Sequence, residues 1–433
     1  MLKNLLQLQD ALSVKASPTR LVRLLSAGLG LLLAQQAQAQ TANALTGAYT
    51  INSALPTAGT NFTSFTDAAT RLNTDGVSGP VTITVSNGPY TEQFLLADVA
   101  GTSATNTLTV NGGGRTIQFA SANTAQRAVV QFNGTDYTTI NNLVIDATGG
   151  TYGCGILLTN AANNDRLTNN VINADVSSTS TNYAGIVTSG STSSYTTAGV
   201  SANNLLIEGN TITGGYYGID LYGNTTAAPN AGNIIRNNQV KDFYINGIYL
   251  GYQEGTIITG NDISRPTRTG VSSFNGVYAF GTSRGLAIEK NRIHDPFNGN
   301  PTSTSVCYPV FLATGTGATA GNYNDVVNNV IYNLNGAGSQ YGVYNSASAF
   351  VRVYNNSISA DDQATAATTL TYGIYSTGTD NDVRNNSVRI TRTSTGTKYG
   401  LYYTQARTSS DYNNLYVPSG NVGYYTAAYA TLA

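Results

Sequence analysis

Two short phrases alternate through this chain, and their spacing limits what it can fold into more than any other feature. The first is glycine-led: Gly155-Ile156-Leu157, Gly185-Ile186-Val187, Gly218-Ile219-Asp220, Gly247-Ile248-Tyr249 and Gly276-Val277-Tyr278. It continues through Pro309-Val310-Phe311, Gly342-Val343-Tyr344, Gly373-Ile374-Tyr375 and Gly400-Leu401-Tyr402, at steps of 27 to 33 residues. The second sets an aliphatic residue three positions before an asparagine: Leu167 and Asn170, Ile207 and Asn210, Ile235 and Asn238, Ile258 and Asn261, Ile288 and Asn291. Val326 and Asn329, Val353 and Asn356, Val383 and Asn386 follow, with Asn414 as a weaker last copy. One asparagine phrase falls between each successive pair of glycine phrases. Such a period calls for a stack of like units, because one unit of this size cannot bury its own apolar face.

The unit is built of strands. Apolar residues alternate over runs of only a few positions, as in "GIYL" (247–250) and "VYNNSISA" (353–360), and Gly and Asn punctuate them too often for helices. Stacking like on like predicts an inward column of Ile156, Ile186, Ile219, Ile248, Val277, Val310, Val343, Ile374 and Leu401. The asparagines form a second column at a bend, where Asn tolerates left-handed backbone and stacked amides bond up and down.

Interleaved "[LIV]-x-x-N-x-[IV]" and "G-[IV]-x" phrases at this period resemble the right-handed parallel β-helix proteins of the pectin-lyase-like superfamily. The resemblance covers about residues 137–425 and implies an all-β solenoid. It does not select a function, since that superfamily holds lyases, hydrolases, adhesins and structural spikes. The opening "GAYTI…NFTSFTDA…GVSGPVTITV…GPYTEQF" is similar to secreted Gram-negative β-helix proteins that use type IX secretion.

The ends read differently from the repeat. Lys3, Lys15, Arg20 and Arg23 precede the apolar run "LLSAGLGLLLA" (24–34) and the small residues Ala37 and Ala39, the layout of a signal peptide over 1–39. The run is too short to span a bilayer. Export to the cell surface or medium follows. Residues 40–136 read as an N-terminal cap with irregular first coils: Phe62, Phe65, Ala69 and Leu72 keep helical spacing, closed by Gly76 and Gly79-Pro80. Residues 137–433 are the repeats. They stop at "VGYYTAAYATLA" without a sorting domain, so either this tail covers the last coil or the chain is a fragment. Cys154 and Cys307 lie five glycine phrases apart, on the order of 24 Å along a stack of rungs, too far for a disulfide.

Charged residues make up only 10% of the chain, and without 1–39 there remain 17 basic and 21 acidic side chains. This excludes a nucleic-acid binder, which needs a basic face. "NGGG" (111–114) is a turn with no helix after it and is no phosphate cradle. Unequal coils with outward Tyr do not make an ice-binding threonine array.

The residue after each inward aliphatic points outward. That column reads Leu157, Val187, Asp220, Tyr249, Tyr278, Phe311, Tyr344, Tyr375 and Tyr402. Six consecutive aromatics make a candidate sugar-stacking track; the structural alternative is that Tyr suits strands and shields a sheet. Three consecutive loops reach this face with charge: "KDFYIN" (241–246), "SRPTRTGVSSFN" (264–275) and "HDPFNGNPTSTSVCY" (294–308). They offer Lys241 as a binding residue. Asp220, Asp242, Arg265, Arg268, His294 and Asp295 are the candidates for catalysis. Hydrolysis needs two carboxylates across the bond, such as Asp220 with Asp242. The resemblance implies that a lyase uses Arg or Lys as base and acids holding calcium. Arg265 or Arg268 suits the first role, but no three acids cluster on adjacent coils, so no metal site or other cofactor is expected. Gly-His-Gly and Asp-Asp motifs of the polygalacturonase-like branch are absent. The expectation is an exported rod that binds a polysaccharide or surface glycan without turning it over. A lyase or hydrolase of an acidic glycan and a plain spacer are the alternatives.

Overall fold

The computed structural model describes residues 43–225, 228–363, 368–406 and 408–431. The chain divides into two units, Met1–Ala44 and Leu45–Ala433. The signal peptide expected over 1–39 lies outside the described residues.

Leu45–Ala433 is a parallel β-solenoid with three long sheets, here called A, B and C, of 14, 12 and 13 strands. Each coil runs A, B, C. The strand before the asparagine joins sheet A, the strand after it joins B, and the glycine phrase joins C. Neighbouring strands pair in register, inward residue on inward residue: Ile156 on Ile186 on Ile219 on Ile248 in C, and Ile172 on Ile212 on Val240 on Ile263 in B. All of these are fully buried. The register holds because a one-residue slip would turn every aliphatic of the strand to water.

The glycine phrase has a steric cause. A Cβ on Gly247 would stand 2.7 Å from the Gly276 carbonyl oxygen and 2.8 Å from Cγ2 of Ile263, so sheets B and C approach too closely there for any side chain. The asparagines are buried at the bend from A to B and bond as a ladder. Oδ1 of Asn261 accepts from the backbone N–H and Nδ2 of Asn238, both at 3.0 Å, while Nδ2 of Asn261 donates to the Ile235 carbonyl at 3.0 Å and to Asn291 Oδ1 at 2.9 Å. An aspartate would lack the donors. Two details differ from expectation. The left-handed residue is the one before the column, Asn169, Gly209, Asn237, Gly260, Lys290 and so on; the column asparagine needs its side chain buried and so lies past the bend. The last copy is Asn413, whose Oδ1 accepts from Asn386, and not Asn414.

The helix spans Phe65–Asp75. Ser64 caps it by accepting from the Asp67 N–H at 3.0 Å, and Gly76 ends it at φ 66°. Phe62 is not part of it but sits in the strand Asn61–Phe62. The helix buries Phe65, Ala68, Ala69 and Leu72, with the Phe65 ring edge-on to Tyr90 and Phe94 of the first strands of B and C. At the other end Ala427–Tyr429 pairs antiparallel with Asn421–Tyr425, adding an edge strand to sheet C. Cys154 and Cys307 are free and buried.

Candidate functional site

The outward column of sheet C pairs as expected: Leu157, Val187, Asp220, Tyr249, Tyr278, Phe311, Tyr344, Tyr375 and Tyr402, with Tyr424 one rung further. It carries two surfaces. Over Leu157 and Val187 the loop at 190–199 folds back and lays Tyr195 on the sheet, held by its hydroxyl donating to the Asn182 carbonyl at 2.9 Å; Asp220 on the next rung is buried as well.

From Tyr249 onward the face is open and aromatic, and a second column runs beside the first. Two residues before each inward aliphatic the rungs carry Tyr217, Asn246, Asn275, Tyr308, Tyr341, Tyr372 and Tyr399. The phrase "YG[IVL]Y" in the last coils shows this second column in the sequence, but only the register reveals it as a ladder. Beyond Tyr341 the columns interlock. Tyr344, Tyr375, Tyr402 and Tyr424 stack with centroids 4.9, 4.9 and 4.5 Å apart, and rings of the second column meet them edge-on at 66 to 89°. Each ring there packs face-on or edge-on against its neighbours.

Between Tyr217 and Tyr308 the second column holds two asparagines instead of rings. Three rung steps of ~4.8 Å make this gap about 14 Å long. It opens a notch of about 360 Å³ floored by Tyr249 and Tyr278 and walled by Tyr216, Tyr217, Tyr308 and Phe311, with Asn246, Asn275 and Ser273 as its polar groups. Asn275 Nδ2 donates to Asn246 Oδ1 at 2.8 Å. The first column also breaks here: Phe311 stands at 83° to Tyr278 and 84° to Tyr344. Burial raises the pKa of Tyr249 and Tyr278, so both stay phenols.

The charged candidates do not converge on this notch. Asp220 is fully buried, neither carboxylate oxygen has a partner, and burial raises its pKa far above the usual carboxylate range. It was expected to face the groove; it keeps that outward direction but is fully buried between the Val187 and Tyr249 rungs. Asp242 is buried as a clasp, accepting from the Thr267 N–H at 2.9 Å, the Thr267 hydroxyl at 2.7 Å and the Arg268 N–H at 2.9 Å. Arg265 is fully buried among Phe243, Phe274 and Phe297 and donates to the carbonyls of Pro296, Tyr244, Ser272 and Ser273. Burial lowers its pKa to about 9, yet all those acceptors bind the cation. Arg268 donates to the carbonyls of Gly270, Asp242 and Ser178. Both arginines pin loops; neither presents a free lone pair as a base.

Lys241, His294 and Asp295 lie elsewhere. Lys241 and His294 end strands of sheet B, and Asp295 follows His294 in the turn. His294 bonds Asp295 through Nδ1 at 2.6 Å and Asp262 through Nε2 at 3.1 Å, and stacks on Tyr332. Burial pulls its pKa down, but the two carboxylates outweigh this and the net shift is upward. Its partners are thus Asp262 and Tyr332, which sequence reasoning missed because they are a full coil away along the chain.

A family model described as periplasmic copper-binding protein (NosD) matches residues 176–370. No curated protein matches. Among solved structures the chain is similar to the Dettilon tailspike protein, at 13% identity over 83% of this chain and 64% of that one, with a TM-score of 0.47. The chain thus spans less than two thirds of the tailspike. It is also similar to a mutant of the DFA-IIIase of Arthrobacter chlorophenolicus, at 15% identity over 89% and 98% with a TM-score of 0.49. An alginate lyase of a Paenibacillus species follows at 13% identity over 83% and 95% and a TM-score of 0.33. Copper wants His, Cys or Met ligands. The matched segment holds one His, whose ring nitrogens both bond carboxylates, one Cys, buried with its thiol pKa pushed up by burial, and no Met. These residues do not fit a copper site. Among the described residues no three His, Cys, Asp or Glu side chains are placed to hold a metal, and no helix is long and apolar enough to cross a membrane.

Proposed function

We propose that this chain is an exported glycan-binding rod whose sugar site is the notch over Tyr249 and Tyr278. The observation that carries this reading is that Asn246 and Asn275 interrupt the run of tyrosines from Tyr217 to Tyr399 in the second column. It opens aromatic floor beside two amides, the pairing of apolar ring and hydrogen-bonding group that a sugar's CH face and hydroxyls require. The rung spacing, ~4.8 Å, is close to the length of one sugar residue in an extended chain, so a glycan laid along the axis repeats its contacts rung by rung. The family name matched by residues 176–370 includes the word periplasmic, which supports an exported location. Adhesion at the cell surface, after type IX secretion, is the role this reading assigns.

The test is retention of residues 40–433 on a panel of acidic and neutral polysaccharides, with product release followed on the same panel. Retention that disappears in Tyr249→Ala/Tyr278→Ala, with a native unfolding midpoint, supports the reading. Equal retention by that variant defeats it. New reducing ends or unsaturated uronates would make the same groove an active site.

A further inference from the structure

A second cavity lies on the N-terminal side of Tyr217, lined by the loop that lays Tyr195 over Leu157 and Val187. It measures about 240 Å³ and shares Tyr217 with the notch, so the two form successive stations of one groove. Its walls are hydroxyls and amides of Asn182, Ser193, Ser194 and Thr196, and its charge is Arg127.

Arg127 is held in an unusual way for this chain. Most arginines here either meet a carboxylate, as Arg236 meets Glu208 and Arg352 meets Asp325, or are sunk among carbonyls, as Arg265 is. Arg127 does neither. Its guanidinium lies over the ring of Tyr152 at 4.3 Å and near that of Tyr195 at 5.5 Å. Nε donates to the Thr124 carbonyl at 3.0 Å, Nη2 to the Thr124 hydroxyl at 2.9 Å and Nη1 weakly to Asn182 Oδ1 at 3.3 Å. Among the described residues no Asp or Glu forms an ion pair with it. Two rings and three neutral acceptors fix the fork in place at the half-exposed rim of the cavity, with no carboxylate paired to it. A planar cation so placed is a preorganised receptor for a two-oxygen anion.

We infer that Arg127 forms an anion subsite at the N-terminal end of the groove, reading a carboxylate or sulfate on the glycan bound in the notch. This rests on the glycan reading above and adds that the ligand is acidic. A residue seated between Tyr217 and Tyr308 leaves the next sugars to pass Tyr217 into this cavity, where Ser193, Ser194 and Thr196 meet their hydroxyls.

The experiment is titration calorimetry of residues 40–433 with polygalacturonate, with the same polymer carboxyl-reduced to a neutral galactan, and with a sulfated galactan. Arg127→Gln is compared with Arg127→Lys and with Tyr249→Ala/Tyr278→Ala. The expected result is that Arg127→Gln weakens binding of an acidic polymer about 10- to 100-fold and leaves the neutral one unchanged. Arg127→Lys should recover part of the loss, since it restores charge without the fork. Loss confined to polygalacturonate or to the sulfated polymer names the anion. If the tyrosine variant loses binding while Arg127→Gln binds every polymer as the parent does, the anion subsite is wrong and the notch stands. If the tyrosine variant binds all three as the parent does, or the parent binds none, the glycan reading fails and this inference with it.

Discussion

The outward face of sheet C carries the same kind of residue in two regions that differ in packing. In the C-terminal region, from Tyr341 to Tyr424, two tyrosine columns interlock and each ring packs face-on or edge-on against others. In the central region two asparagines interrupt one column and Phe311 turns across the other, so Tyr249 and Tyr278 floor a notch. The lesson is that an aromatic stripe is not by itself a binding track. Tyr249 and Tyr278 also stack, with centroids 5.3 Å apart at 8°, so what sets the central region apart is the missing ring of the second column beside them.

This contrast can be broken in several ways. The largest effect falls on the support of the notch. Arg265 holds the carbonyls of Ser272 and Ser273 beside Ser273 and Asn275 of the rim. Arg265→Ala removes a buried cation from four acceptors and should cost about 3–5 kcal/mol, seen as a large fall in the urea midpoint. An unchanged midpoint would mean that the loop stands without it.

Next comes the floor. Tyr249→Ala/Tyr278→Ala should weaken glycan binding about 10- to 100-fold, whereas Tyr375→Ala/Tyr402→Ala should change it less than about two-fold. Equal losses in both pairs would erase the distinction between notch and wall. A converse substitution, Asn275→Tyr, extends the second column into the notch. It should reduce binding about ten-fold while keeping or slightly raising stability, since a stacked ring adds about 0.5–1.5 kcal/mol. Full binding by Asn275→Tyr in isothermal titration would show that the gap is not the site.

A smaller effect marks the boundary with the covered end. Asp220 has its folded pKa raised by burial. The folded state therefore binds the proton more tightly than the unfolded chain, whose carboxyl titrates near ~3.9. The stability this group retains is complete below that value and is lost as pH rises toward the folded pKa. Asp220→Leu should flatten that fall and add about 1–3 kcal/mol at neutral pH, measured from midpoints at pH 4 and pH 7. A parent chain whose midpoint does not fall over that range would place water or a partner on the carboxylate. The smallest effect is within the wall itself, where Tyr402→Ala alone should cost about 1 kcal/mol and leave binding as it was.

Much of the fold was legible because it is periodic. The inward and outward columns of sheet C were assigned residue by residue from the glycine phrase, and the pairing agrees at every rung. The asparagine ladder was legible for the same reason, apart from which residue takes the left-handed turn and which asparagine ends the column. The candidate site was legible in part. Tyr249 and Tyr278 were named, but the notch was not, since it depends on what stands beside them two positions earlier on each strand.

The charged loops show where reading stopped. Arg265, Arg268 and Asp242 share adjacent loops with the groove, and in sequence they look like chemistry. Their side chains turn inward, where carbonyls and N–H groups of the folded loops satisfy them. Asp220 keeps the outward direction its strand dictates, yet it is fully buried, while a loop at 190–199 covers its column neighbours Leu157 and Val187.

What this sequence determined by itself is the solenoid: a short-range alternation and a fixed period suffice, because every rung repeats the same local contest between burial and exposure. Only the tertiary structure decided which outward residues remain outside. That choice rests on loops of irregular length and composition, whose resting places depend on contacts between coils far apart in the chain, and no local pattern records them.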